Sequence, residues 1–231
     1  MHREAWGELL RAAPLLLAIL LLFQSSCNRK PRTSSDVEAD SLAIVRGNLL
    51  YRAEQDSFFR MDPQSPFRRD TSITYAGLKW FPIRTSFCGQ SVLHTYADPE
   101  TVTVMGTRGE ARRQLRYGYF EFPIPGDDGT PVKVRLNVYK FTPYDSLRFA
   151  RYRENLNVWF TDRTSGEETY HVGRYVDVGD DMHDPRHLYT IDLNKAYNPY
   201  CAYSSLYSCA IPRREDHLDV FVRAGEMTYH E

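Results

Sequence analysis

The spacing of apolar and polar positions changes twice along this chain. Ala12 to Phe23 (AAPLLLAILLLF) is an unbroken apolar run. After a polar stretch, Leu42, Val45, Leu49 and Ala53 recur at intervals of three and four. That spacing predicts one amphipathic helix over 36–60, packed on the body through this stripe. Ser35 followed by Glu38 offers a capping box, Gly47 weakens the middle, and Pro63 and Pro66 end the helix.

Beyond residue 70 the period falls to two. Val132, Val134, Leu136 and Val138 alternate with Lys133, Arg135, Asn137 and Tyr139, a half-buried strand. Pro125-Gly126-Asp127-Asp128-Gly129 joins it to Tyr119–Phe122 as a hairpin. Leu156, Val158 and Phe160 alternate again, and the turn Thr164-Ser165-Gly166 leads to a strand near Thr169 to Val178. Val102 with Val104, Leu188 to Leu193 and Leu218 to Val222 complete the set. About eight to ten short strands at hairpin spacing predict a mainly β domain over 70–231, an antiparallel sandwich or barrel with one N-terminal helix.

The apolar run is too short for a spanning helix, which needs roughly 20 apolar residues, and has the length of a secretory signal. Ser25 and Ser26 before Cys27 resemble the cleavage box of bacterial lipoproteins, with Gln24 where a larger aliphatic residue is usual. Residues 1–26 are thus expected to be removed and Cys27 to be lipidated, with acyl chains enough for stable anchoring. An ordinary secretory signal with a free Cys27 is the alternative. Residues 27–35, with the polar and basic run Asn28 to Ser35, are the tether. The expected location is the bacterial cell envelope, at the outer membrane or periplasmic face, with the membrane as a partner through the lipid.

Apolar residues make up 42% and charged residues 26%, the balance of a globular protein. With 29 Lys and Arg against 30 Asp and Glu, the chain lacks the basic surface that nucleic acid needs. Oligomeric state is not legible.

Asp192 to Pro212 (DLNKAYNPYCAYSSLYSCAIP) continues neither pattern. Loops this long are uncommon and often functional. Tyr197, Tyr200, Tyr203 and Tyr207 line it, beside Asn194 and Asn198. Tyrosines suit a recognition surface for a small-molecule or glycan ligand, and equally a secondary core folded over one end of the domain. Cys201 and Cys209 are eight apart in an exported chain, so a disulfide is the first expectation. A metal site or a catalytic thiol ranks behind it. Cys88 is then left over, buried or free.

Several runs resemble one family, catalogued as domain of unknown function 1684. They are Phe160 to Gly166, Thr169-Tyr170 with Gly173-Arg174-Tyr175, Asp192 to Pro199, Cys201-Ala202-Tyr203, Ser208-Cys209 and Ala224-Gly225-Glu226, with Gly77 to Pro82 upstream. The resemblance covers roughly 45–231. It departs at Arg213 and Arg214, where the family favours a proline pair, and at Asp216, where it favours Asn, which implies a less rigid exit from the tyrosine loop. It implies no activity or cofactor, only that the polar residues of these runs belong to one shared site.

Asp162, Arg174, Asp192, Asn194, Tyr197, Asn198 and Glu226 are therefore the candidate polar site. A carboxylate pair drawn from Asp162, Asp177, Asp192 and Glu226 could run glycoside-type acid and base chemistry. The same groups could instead close turns and pin the long loop. Gly179 to Asp184 lacks calcium-loop spacing, and Pro185 spoils alignment of His183 with His187, so a solvated loop is expected. Gly-rich phosphate loop, nucleophile elbow and HExxH motif are all missing, and no cofactor or metal is implied. The leading expectation is an envelope binding or accessory module using the Tyr197–Tyr207 loop. An envelope hydrolase is the alternative, and a purely structural protein without a pocket is the third.

Overall fold

The computed structural model describes residues 34–230, with side chains from residue 38. The signal segment, Cys27 and the tether over 27–33 lie outside the described residues. The contacts below fall within 41–231, which form one compact unit.

Helix α1 spans Ser34–Met61 and ends one residue before Asp62-Pro63. Its docked face is not the predicted stripe. Leu42, Leu49 and Leu50 are 64%, 58% and 56% exposed, while Asn48 is wholly buried. Asn48 Nδ2 donates to Asp192 Oδ2 at 2.6 Å, Tyr51 to the Lys195 carbonyl and Arg52 to the Phe81 carbonyl. Polar anchors therefore set the rotation of the helix, which an apolar count could not see. A short helix α2 (Pro66–Arg69), capped by Ser65, follows. Phe59, Phe67 and Tyr203 then form a small aromatic core with Tyr75, Tyr200 and Tyr229 packed on it. Among the described residues no helix is long and apolar enough to cross a membrane.

The chain is mainly β and its sheets are chiefly antiparallel. Strands β2 (His94–Met105), β3 (Ala111–Pro125), β4 (Pro131–Phe141), β5 (Asn155–Asp162) and β6 (Arg174–Asp180) run in sequence order across the main sheet. The predicted hairpin is β3–β4, closed at Pro125 opposite Pro131. Helix α3 (Ser146–Tyr152) joins β4 to β5. Strands β1 (Cys88–Val92) and β7 (Leu188–Asp192) form a separate two-stranded ribbon. The sequence pattern gave no sign of β1. Strand β8 (His217–Leu218) is shorter than predicted and pairs parallel with β5.

The sheet does not close into a barrel. Both of its edges are taken by the chain after β7. Tyr197 exchanges backbone hydrogen bonds with Tyr175 on β6, at 2.9 Å each way. At the opposite edge Ile211 N–H donates to the Met105 carbonyl on β2, beside the bridge of Gly106 to Ala210. The main core lies on one face, where Val134, Leu136, Val138, Leu156, Val158 and Phe160 meet Tyr189, Ile191 and Leu193. The opposite face is not solvated throughout. Tyr139 and Trp159 stack there over Val102, Val104 and Ala210. Asn137 and Tyr139, expected on the polar face, are buried because the return chain covers them through Asp216, while Lys133 and Arg135 on the same face stay exposed.

Candidate functional site

The polar residues of the candidate site are interior and bonded to their neighbours. Gly173 holds a positive φ of 111°, and a Cβ there would stand 2.5 Å from the Phe160 carbonyl. Only glycine lets the chain turn so tightly into β6. The turn delivers Arg174 into the core, wholly buried. Its Nη2 donates to Asp162 Oδ2 at 2.8 Å and to the Val222 carbonyl at 2.8 Å. Its Nη1 donates to the carbonyls of Ala224 and Glu226. Asp162 Oδ1 accepts the Thr164 N–H, the Thr164 hydroxyl and the Val222 N–H. One ion pair thus ties the end of β5, the start of β6 and the C-terminal segment together.

Asp192 and Asn194 hold the start of the tyrosine loop. Asp192 Oδ1 accepts the Asn194 N–H and side-chain amide, while its Oδ2 receives Asn48. Asn194 pairs with the backbone of Arg84 in both directions, at 2.9 Å each. Asn198 donates its N–H and its Nδ2 to Glu226, and Tyr203 donates its hydroxyl to Glu226 Oε1 at 2.6 Å. Burial pushes the Glu226 carboxyl up to about 7, against the pull of Tyr203, Asn198 and Arg174. The raised value marks an interior carboxyl rather than a group at a cavity mouth.

A second interior centre was not foreseen. Asp216 accepts from Asn137 Nδ2, the Tyr139 hydroxyl, Trp159 Nε1 and the Arg213 N–H. The loop exit is therefore fixed by side-chain bonds despite lacking the proline pair. The segment expected to be solvated is exposed at Gly179, Asp180 and Met182 to Asp184, but Asp181 within it is buried and accepts from Lys140 Nζ at 3.0 Å. No three metal-ligating side chains converge among the described residues.

The tyrosine loop folds back over the sheet edges and does two things at once. Tyr203 points into the aromatic core, and Tyr197 pairs with β6. Tyr207 faces an open cavity of about 700 Å³, walled by Cys201, Ser205, Tyr170, His171 and Arg108. Tyr200 and Tyr207 also border a second cavity of about 560 Å³ beside Phe58 and Arg69. A third, of about 270 Å³, is bounded by Tyr197, Trp159 and Asp177. None of these three cavities is lined by Asp162, Arg174, Asp192, Asn194, Asn198 or Glu226.

Cys201 and Cys209 are neighbours and both stand as thiols. Cys209 Sγ accepts the Cys201 N–H at 3.3 Å, and the Tyr170 hydroxyl reaches Cys201 Sγ at 3.8 Å. The hydrogen bond from Cys209 pulls the Cys201 thiol down to about 7, with Tyr170 and Thr107 assisting against burial. Cys209 keeps its proton, held by that same bond. Cys88 is a contrast, pushed up to about 11 by burial. Sequence reasoning missed Tyr170, His171 and Arg108 as cavity walls, because they lie at distances along the chain that no local pattern relates.

Residues 73–227 match the family described as "Protein of unknown function (DUF1684)". The chain belongs to this family. This DUF1684 chain is built around an open antiparallel sheet whose edges are covered by its own tyrosine loop. It resembles an uncharacterised protein of Haloarcula marismortui solved by solution NMR. The identity is 28%, with 85% of this chain and 98% of that one covered, at a TM-score of 0.56. A comparison with curated proteins gives no match.

Proposed function

We propose that this DUF1684 protein is an exported, lipid-anchored module of the cell envelope that binds a small-molecule or glycan ligand beside its tyrosine loop. The cavity of about 700 Å³ carries the reading. Its size lies in the range of small-ligand sites, and its walls mix aromatic faces with a few polar groups. Tyr170, His171 and Tyr207 supply rings, and Ser205 and Thr107 supply hydroxyls. The loop that forms one wall is pinned at its start by Asp192, Asn194 and the Asn198–Glu226 bonds, and at its exit by the Ile211 N–H on the Met105 carbonyl. A site held this way loses little entropy on binding. Acid and base hydrolysis is less well supported, since it needs two carboxylates facing one substrate. Asp162, Asp192 and Glu226 are instead committed to internal bonds.

The lipid anchor rests on the apolar run, Ser25, Ser26 and Cys27. Metabolic labelling with a fatty-acid probe tests it directly. Label in the wild type and none in Cys27→Ser supports the anchor, whereas label in neither removes it. Binding is tested on the full chain in detergent by titrating envelope glycan fragments and small metabolites while recording amide shifts. Shifts confined to residues around Tyr170 and Tyr207, and abolished by Tyr207→Ala, support the site. Shifts centred elsewhere exclude it.

A further inference from the structure

The cavity wall holds a feature that ligand binding does not explain. Of the three described cysteines, Cys201 lines the cavity and Cys209 sits directly behind it. The third, Cys88, lies on β1 and pairs in register with Asp192. The two loop cysteines are hydrogen-bonded to each other, and a tyrosine hydroxyl reaches the front sulfur from the cavity side. Cys209 is fixed by Thr107, as its N–H donates to the Thr107 hydroxyl at 3.2 Å and its carbonyl accepts the Thr107 N–H at 3.0 Å. One sulfur is thus presented and the other is held in reserve, the arrangement that thiol–disulfide exchange needs.

We propose that Cys201 and Cys209 are an exchangeable dithiol pair whose partner is a small disulfide bound in the cavity, with Cys201 the attacking sulfur and Cys209 the resolving one. This narrows the ligand of the cavity to a disulfide-bearing small molecule, and so rests on the binding reading above. In the first step the Cys201 thiolate attacks one sulfur of the bound disulfide. A Cys201–ligand bond forms, the ligand's own S–S bond breaks, and one thiolate leaves and takes up a proton from water. In the second step Cys209 gives its proton to solvent and attacks the Cys201 sulfur. The Cys201–Cys209 bond forms, the Cys201–ligand bond breaks, and the second ligand thiolate leaves and takes up a proton from water. The protein dithiol loses two electrons and the disulfide gains two, so no further oxidant enters. Run backwards with a small thiol, the same steps reduce the pair.

The front thiol suits its role. A sulfur with pKa near ambient pH is the best compromise between thiolate fraction and nucleophilicity, and Cys201 is held at about 7. Cys88, pushed up to about 11, is an internal control in the same chain.

The test uses the reduced full chain in detergent, bis(2-hydroxyethyl) disulfide as probe, and peptide mapping of each cysteine. At pH 7, wild type should lose two hydrogens with the new bond mapping to Cys201 and Cys209. Cys209→Ser should stop at a mixed disulfide on Cys201, and Cys201→Ser should not react at the loop. Iodoacetamide should modify Cys201 about 100-fold faster than Cys88, the net of a larger thiolate fraction and a weaker nucleophile. Adducts on Cys209 or Cys88 in place of Cys201, or no oxidation under conditions that oxidise free cysteine, overturn the pair. Val172→Trp fills the cavity without replacing either sulfur, and should slow exchange with the probe about tenfold. Exchange at Cys201 that is untouched by this variant overturns the cavity as the reaction site, and the proposal with it, while the amide-shift titration decides the binding reading. Glycan or metabolite shifts around Tyr207 in a chain whose Cys201 stays inert overturn the exchange alone.

Discussion

Arg174 Nη2 stands 2.8 Å from Asp162 Oδ2, and both side chains are wholly withdrawn from solvent. The pair joins β5 to β6, and three more carbonyls of the C-terminal segment close round the same guanidinium. Removing one partner of such a pair leaves a buried charge uncompensated. Arg174→Met and Asp162→Asn should each cost about 3–5 kcal/mol in denaturant unfolding. The double variant should cost clearly less than their sum, because the second change removes the stranded partner. Single losses below about 1 kcal/mol would show that the pair does not hold the segment.

Glu226 sets a pH dependence. Burial raises its carboxyl from 4.5 to about 7, so between these values the folded protein binds more protons than the unfolded one. Its contribution is therefore best at low pH and falls as pH rises from 4.5 through 7, by about 3 kcal/mol in all. Glu226→Gln should remove that slope while costing about 1–3 kcal/mol at low pH through one misplaced donor against the Asn198 N–H. Urea midpoints across pH 4.5–7.5 check both. An unchanged slope in the variant would assign the dependence to other groups.

Asp216 faces only donors: Asn137, Tyr139, Trp159 and the Arg213 N–H. An amide there must turn its own NH₂ toward at least one of them. Asp216→Asn should lose about 1–3 kcal/mol and restore the residue the family favours at this position. A neutral result would mean that the four donors find other acceptors.

Asn48 carries the docking of α1 through its 2.6 Å bond to Asp192. Asn48→Leu adds apolar surface but strands a buried carboxylate oxygen. We expect a loss of about 1–3 kcal/mol, together with faster amide exchange over 44–59. Stabilisation by the leucine would show that the helix docks by its apolar contacts after all.

The apolar alternation at Val134, Leu136 and Val138 and at Leu156, Val158 and Phe160 decides which face of β4 and β5 meets the main core, and it is legible by counting. The limits of α1 are equally local, fixed by Pro63 and by the change of period. Turn chemistry at Pro125 to Gly129 announces the hairpin. The unusual length of Asp192–Pro212 also marks the loop from which one cavity wall is built. The rotation of α1 was not legible, because Asn48 meets Asp192 across 144 positions of chain. Nor was the open sheet, whose edges are closed by Tyr197 and Ile211 rather than by each other.

The sequence by itself determined the central strands, the helix, the tyrosine loop and the residues with polar chemistry. Those follow from spacing and turn preference, which act over a few residues. Tertiary structure alone decided what the polar residues do. Asp162, Arg174 and Glu226 read as a possible site until the chain brings Val222, Ala224 and Asn198 to them, and then they become interior bonds. The cavity has the same origin, since Tyr170, Cys201 and Arg108 meet only after the loop returns across the sheet. A buried polar group takes its role from its partners, and those partners are set by packing at long range rather than by the neighbours in sequence.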